Sequence, residues 1–325
     1  MIRRAILCAA LAAASLSVAV PAGAATTSFA EWLDGVRREA VQKGIRPATI
    51  TAALDAIQPI PRVLELDRRQ PEVTLTFQQY LDRVVNEDRI ARGRRLLSEN
   101  HDLLERVSAR YNVQPRFIVA LWGIESDFGR ITGNFSVVES LATLAYDGRR
   151  SSFFRGELFN ALRILDQGHI APAAMRGSWA GAMGQNQFMP SSFLSYAQDF
   201  DGDGRRDIWT NLADVFASTA NYLSRVGWRG DETWGRWVAL PVGFDRNLAS
   251  LDTRKGLGEW QAMGVRKADG GPLPVADMNA SVLTPGGAQG PASIVYDNYR
   301  AIMRWNRSHY FAHAVGILAD RIGEG

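Results

Sequence analysis

Apolar positions recur at helical spacing from the first third of the chain onward. At about 100° per residue, Trp32, Leu33, Val36 and Val41 share one face of a segment running from Phe29 to Gly44, where the glycine is a C-cap. The next helix is predicted from Arg46 to Ile57, and Pro59-Ile60-Pro61 breaks it. A second helical block, roughly Phe77 to Tyr111, carries many arginines on its polar side. Pro115 then opens a further helix. Helical spacing also covers Ser191 to Gln198 and Leu212 to Val226. From Trp228 the texture changes. Glycine and proline punctuate short apolar runs such as Trp237 to Val242 and Ser281 to Leu283, which predicts small strands and loops. Helical periodicity returns at Tyr296 and continues to Ile322, so the last segment is expected to pack back on the helical body. The fold class is mainly α, with a small strand-rich excursion near the C-terminus inside one larger domain.

One helix carries an anomaly. Phe117 to Gly129 reads FIVALWGIESDFG, and Glu125 falls in the middle of its greasy face. Ile118, Leu121 and Trp122 flank it closely, Phe117, Ile124 and Phe128 widen the arc, and Asp127 lies opposite. Glu125 is therefore expected to be partly desolvated and Asp127 solvated. Desolvation disfavours the charged carboxylate, so such a group keeps its proton nearer neutral pH and can donate it to a leaving group. A glycosidic acid catalyst needs that property.

Composition places the chemistry in a compartment. The chain begins Met1-Ile2-Arg3-Arg4, continues with an alanine-rich apolar run to Val20, and reaches Pro21 and Ala22-Gly23-Ala24. That order describes a cleaved export signal over 1–24 rather than a membrane span. The sole cysteine, Cys8, lies within it, so the mature chain has no disulfide to lean on and needs a large core. At 46% hydrophobic residues over 325 positions, the chain can supply one. The formal net charge of +3 falls to near neutrality once Arg3 and Arg4 leave. With no basic run and no recognised nucleic-acid motif, nucleic acid is not an expected partner.

Two further stretches carry candidate chemistry. Residues 178–193, SWAGAMGQNQFMPSSF, combine small residues that permit close approach with amides at Gln185, Asn186 and Gln187, the kind of donors and acceptors a buried sugar requires. Asp199, Asp201, Asp203 and Asp207 occupy positions 1, 3, 5 and 9 of an EF-hand-like loop, with Gly204 at position 6 and Arg205 offering its carbonyl. Such spacing suits a structural Ca²⁺. Position 12 is Thr210 in place of glutamate. His309 and His313 stand four apart but lack the H-E-x-x-H pattern of a zinc site. Trp122, Trp209 and Trp305 read as core residues, and Glu139 or Asp147 could supply a second carboxylate.

Together, Glu125-Ser126-x-x-Gly129, residues 178–193, Asp199 to Trp209, Ala220-Asn221-Tyr222-Leu223 and Arg304-Trp305-Asn306-Arg307-Ser308 resemble, in order, the membrane-bound lytic transglycosylase B family of lysozyme-like murein transglycosylases. The resemblance implies a lysozyme-like helical core and cleavage of the β-1,4 bond between N-acetylmuramic acid and N-acetylglucosamine in peptidoglycan, leaving 1,6-anhydromuramyl ends. Glu125 matches the acid/base position. Ser178, Met183, Gln187, Tyr222 and Asn306 match substrate-contacting positions, Met183 as a surface for a pyranose and Asn306 as a buried amide on an apolar-aromatic stripe. Asp214 matches an acid that completes the cation loop from the next helix. Where the family has a tyrosine after the asparagine, this chain has Phe311 beside Tyr310. The implied organisation is a helical N-terminal region over 25–111, a catalytic core over 112–230, a β/loop region over 231–295 and a C-terminal helix over 296–325. No cofactor is expected for catalysis. The implied setting is the periplasm and the partners are glycan strands, with affinity coming from the groove or from cell-wall enzyme partners. Hydrolytic muramidase and non-catalytic peptidoglycan scaffold are the alternatives.

Overall fold

The computed structural model describes residues 27–68, 75–287 and 290–324. The expected export signal, with Cys8, lies outside the described residues. Fourteen helices are found among those described. The chain opens with α1 (Phe29–Gln42), α2 (Pro47–Leu54) and α3 (Pro61–Arg68), followed by α4 (Phe77–Val84), α5 (Glu87–Glu99), α6 (His101–Tyr111) and α7 (Pro115–Ser126). Next come α8 (Val137–Tyr146), α9 (Ser151–Asp166), α10 (Pro190–Tyr196) and α11 (Leu212–Arg225), and finally α12 (Leu257–Ala262), α13 (Asp297–Trp305) and α14 (His309–Gly323).

Local chemistry sets these boundaries. Ser28 caps α1 in a reciprocal box, its hydroxyl accepting from the Glu31 N–H while the Glu31 carboxylate accepts from the Ser28 N–H at 2.9 Å. Gly44, at φ +82°, turns the chain out of that helix. The block from Phe77 to Tyr111 is three helices, because Asn86 accepts from the Arg89 N–H at 2.9 Å to start α5, and Asn100 bonds the Leu96 carbonyl to close it. The periodicity from Tyr296 to Ile322 likewise conceals a break. Asn306 is extended at φ −141°, and Ser308 caps a new helix by accepting from the Phe311 N–H.

Helices α1 to α3 pack with α8, α9 and α10 around Leu54, Leu141, Leu158 and Phe193. A second core gathers α5, α6, α7, α11, α13 and α14 around Phe117, Trp122, Phe216 and Leu318. Within it, α7 is apolar nearly all round and correspondingly enclosed, with α14 as a principal neighbour. Each such fully buried leucine or phenylalanine contributes about 1.5–3 kcal/mol of transfer free energy.

The strand-rich region is a five-stranded antiparallel sheet formed by β3 (Gly235–Ala239), β4 (Lys255–Gly256), β5 (Arg266–Lys267), β6 (Asn279–Leu283) and β7 (Ala292–Val295), preceded in the chain by a β1 (Phe135–Ser136) and β2 (Arg176–Gly177) pair. Its order is β4-β6-β7-β3-β5. The expected run from Trp237 to Val242 starts two residues earlier and stops before Pro241, which has no N–H to give a ladder. Trp260, Val282 and Ile294 form its own small core.

Candidate active site

Glu125 is the penultimate residue of α7, and the helix end is unusually well fixed. Asp127, Phe128 and Gly129 all take positive φ. A side chain at Gly129 would place Cβ 2.3 Å from the Gln185 side chain, so glycine is required for both reasons. The buried Ser126 hydroxyl donates to the Gln185 carbonyl at 2.8 Å and accepts from the Gly129 N–H at 3.0 Å. Asp127 is not solvated as expected. The left-handed turn swings its carboxylate toward α5, where Arg92 lies at 2.8 Å, Arg130 at 3.2 Å and Arg89 at 3.6 Å. Three guanidiniums thus pin the turn that follows Glu125.

The Glu125 carboxyl is only partly exposed, and its Oε1 accepts a 2.7 Å hydrogen bond from the Trp305 indole N–H. Burial pushes its pKa up to about 7, while the indole hydrogen bond pulls the other way. No charged side chain contributes to that shift. The remaining oxygen has no protein partner among the described residues and stays open. Trp305, read from the sequence as a core residue, does pack against both cores and in addition presents its N–H to the acid. Its ring packs at 4.7 Å from Tyr222 and 5.1 Å from Phe188. The Tyr222 hydroxyl donates to the Arg304 carbonyl at 2.7 Å, so it holds the end of α13 in place. Burial, with Tyr196 beside it, raises the Tyr222 phenol to about 12, which keeps it a donor. Tyr80, not singled out from the sequence, lies close enough to feel the Glu125 charge. Burial and then the Glu125 charge raise its phenol above the ordinary value, and its ring lies 5.6 Å from that of Tyr310. Phe311 is buried in the second core.

The glycine-rich segment forms one wall. The Ser178 hydroxyl accepts from the Ala182 N–H at 3.0 Å, and the Ser178 N–H donates to the Ala182 carbonyl at 2.8 Å. Met183 pairs with Phe188 through both backbone bonds, which turns its side chain into the first core with no exposed surface. Met183 therefore offers no face to a pyranose. Gln185 is equally committed, accepting from the Trp122 indole at 2.7 Å and donating to the Trp209 carbonyl at 2.9 Å. Asn186 donates to Val215 and Thr219. Gln187, at φ +50°, spends its amide N–H groups on Thr132 and Gly184, which leaves its side-chain carbonyl for a ligand. Asn306 follows Trp305 directly and is exposed, not buried on a stripe. Its side-chain oxygen accepts from the Ser308 N–H at 3.0 Å, and its amide N–H groups remain available. Phe188, Tyr222, Trp305 and Glu125 thus form one contact chain, flanked by Gln187 and Asn306. Ser178 joins the same wall only through the Gly177, Met183 and Phe188 pairings.

Other carboxylates are engaged elsewhere. Asp147 bonds Arg68 at 2.7 Å, buried Asp67 pairs with Arg149 and Arg150, and buried Glu157 accepts from the Ser191 N–H. Glu139 faces a different cavity, with Ser136 and Arg176. His313 lies among Phe77, Trp234 and Trp237 and bonds Ser293 and Tyr299, and burial lowers it to about 4. That environment suits a neutral core imidazole and not a metal ligand.

In the acidic loop, oxygens of Asp199, Asp201 and Asp203 lie within 4.8 Å of one another, a donor set of hard oxygens that fits Ca²⁺. Asp199 accepts from the N–H groups of Gly202 and Gly204, and Arg205 reaches Asp203 at 3.3 Å. Asp207 lies outside that cluster, and one of its oxygens accepts from the Trp209 and Thr210 N–H groups and the other from the Thr210 hydroxyl. Asp214 is fully buried, with its two oxygens taken by the Phe200 and Asp207 N–H groups, each at 2.7 Å. Both residues brace the loop from within.

A half-buried acid at a helix end, beside an aromatic wall and an amide-rich turn on a lysozyme-like helical body, is an arrangement suited to a glycan-cleaving enzyme. The family model described as transglycosylase SLT domain matches residues 28–320, and the chain belongs to that family. It is 32% identical over 257 residues to membrane-bound lytic murein transglycosylase B of Escherichia coli, a match covering 75% of this chain and 66% of that protein's length. SltB3 from Pseudomonas aeruginosa, in complex with NAG-NAM-pentapeptide, superposes with a TM-score of 0.90 at 48% identity, covering 92% of this chain and 80% of that one. The Escherichia coli lytic transglycosylase Slt35 in complex with calcium gives a TM-score of 0.77 at 28% identity, covering 90% of this chain and 92% of that one.

Proposed function

We propose that this protein is a peptidoglycan lytic transglycosylase with Glu125 as its only acid/base. The observation that carries this reading is the Glu125 carboxyl, pushed to about 7 by burial, held on one oxygen by Trp305 and open on the other. The neutral acid donates its proton to the glycosidic oxygen as the bond to muramyl C1 breaks, freeing the N-acetylglucosamine 4-hydroxyl. The resulting carboxylate accepts the proton of the muramyl C6 hydroxyl as that oxygen attacks C1. Atoms balance without water. The absence of a charged neighbour at Glu125 among the described residues fits a mechanism in which the substrate supplies the nucleophile that a second carboxylate supplies in most glycosidases.

Gln187 and Asn306 supply the open amide groups for sugar hydroxyls and the acetamido group, and Ser178 supports that wall. Tyr222 and Trp305 orient the acid. Asp199, Asp201 and Asp203 would hold Ca²⁺ as a structural clasp, in keeping with the calcium complex of Slt35. The sequence over 1–24 supports export to the periplasm, and no described helix is long and apolar enough to cross a membrane. The deciding experiment is mass spectrometry of digested murein. Muropeptides ending in 1,6-anhydromuramic acid are expected. Reducing muramic acid as the sole new end would make the enzyme a muramidase, and no new ends would make the groove a binding site.

A further inference from the structure

Beside Tyr222 lies an open cleft of about 640 Å³, lined by Tyr196, Tyr222, Arg225, Arg304 and Arg307. Tyr222 is thus shared between two places, with one edge against the indole that holds Glu125 and another facing the cleft. Three arginines line it and none has a carboxylate partner among the described residues. Nearby Arg229 is paired with both Glu232 and Asp297. Arg225 and Arg304 stand in the last turns of α11 and α13, where a cation offsets the negative helix end. That explanation does not reach Arg307, which lies in no helix, nor the two tyrosine rings packed 4.4 Å apart as a floor.

Resting on the function proposed above, we propose that this cleft is an anion site that takes a free carboxylate of the peptide stem on the muramyl unit being cleaved. The guanidinium fork matches a carboxylate in a bidentate way that no other side chain reproduces. Tyrosine faces accommodate the planar amides of the same peptide. The cleft is far larger than one carboxylate and falls within the usual range for an organic ligand. Two aromatic rings, Tyr222 and then Trp305, separate it from the acid, so stem binding there adds affinity for the strand without touching Glu125.

The test replaces Arg225 and Arg307 together by glutamine, leaving Arg304, whose carbonyl anchors Tyr222. Turnover is measured on purified glycan strands carrying their stems and on strands stripped of stems by an amidase. On stem-bearing strands KM should rise about tenfold with kcat within about twofold, as expected for the loss of charge-assisted bonds made equally in ground and transition states. Stripped strands and the melting temperature should be unaffected, and the double lysine variant should recover part of the loss. An unchanged KM on stem-bearing strands, or an equal loss on both substrates, overturns the assignment. In parallel, Glu125→Gln protein with and without the arginine changes is titrated with a disaccharide pentapeptide. Equal affinity in the two proteins also overturns it. Wild-type enzyme inert on both strands would instead remove the catalytic reading, while this titration still reports on the cleft.

Discussion

Glu125 and Asp214 are both carboxyls lifted by burial, to about 7 and about 6, yet they serve opposite purposes. Asp214 is completely enclosed and both its oxygens are saturated by backbone N–H groups, with the loop aspartates adding to the upward pressure. Glu125 has one donor, the Trp305 indole, and an oxygen left open. A perturbed acid is therefore not by itself a catalyst. What separates the two is the unspent oxygen, since proton transfer needs a lone pair or a proton that a substrate can reach.

The largest expected effect breaks the comparison at its reactive end. Glu125→Gln should lower turnover by about 10³-fold or more, because the amide keeps the shape but has no transferable proton. Stability should move the other way. Below the ordinary value of 4.5 the group is neutral folded or unfolded and costs nothing. Between 4.5 and about 7 the unfolded chain ionises first, so wild-type stability falls as pH rises, and above about 7 the full penalty is present. Glutamine escapes it, so the variant should be more stable than wild type by about 1–3 kcal/mol at pH 8 and no more stable at pH 4. Melting curves at the two pH values check this, and an equal difference at both would remove the burial argument.

Asp214→Asn should lose far less activity. One of the two backbone donors loses its acceptor, at a cost of about 1–3 kcal/mol that relief of the buried charge offsets above about pH 6, while kcat measured well below the melting temperature stays within about twofold. A large kcat loss in a fully folded variant would make Asp214 part of the chemistry. Calcium at about a hundred times its dissociation constant should add about 2.7 kcal/mol. Asp199→Ala combined with Asp203→Ala should abolish that gain. A melting temperature indifferent to calcium and chelator reduces the loop to an acidic turn. The smallest effect sharpens the contrast. Trp305→Phe keeps the ring against Tyr222 and Phe188 but deletes the one donor that holds Glu125 down, so the alkaline limb of kcat/KM should move up by about 0.5–1 pH unit. A limb that stays put would make the indole mere packing.

The sequence carried Glu125 clearly because its setting is local. The apolar residues around it belong to one helix, and α7 is enclosed as its pattern demands. The helix-rich body and the small sheet were legible for the same reason. What escaped was set by turns and distant partners. Asp127 meets three arginines because the helix ends in a left-handed turn, which helical spacing cannot foresee. Met183 faces inward because of a backbone pairing with Phe188, and Asn306 sits outside because a serine cap interrupts a pattern that otherwise runs on. The family resemblance pointed to Met183 and Asn306, but it carries no information on the direction in which either side chain points.

The contact between Trp305 and Glu125 joins positions 180 residues apart. Helices such as α7 form from neighbours in the chain and need little else to begin. The acid's environment needs α13 closed over it, and contacts across such a span form more slowly than local ones. A chain emerging from its N-terminus therefore holds the acid long before it holds the indole. The proton donor and the group that holds it come together only once both ends of this long span are folded.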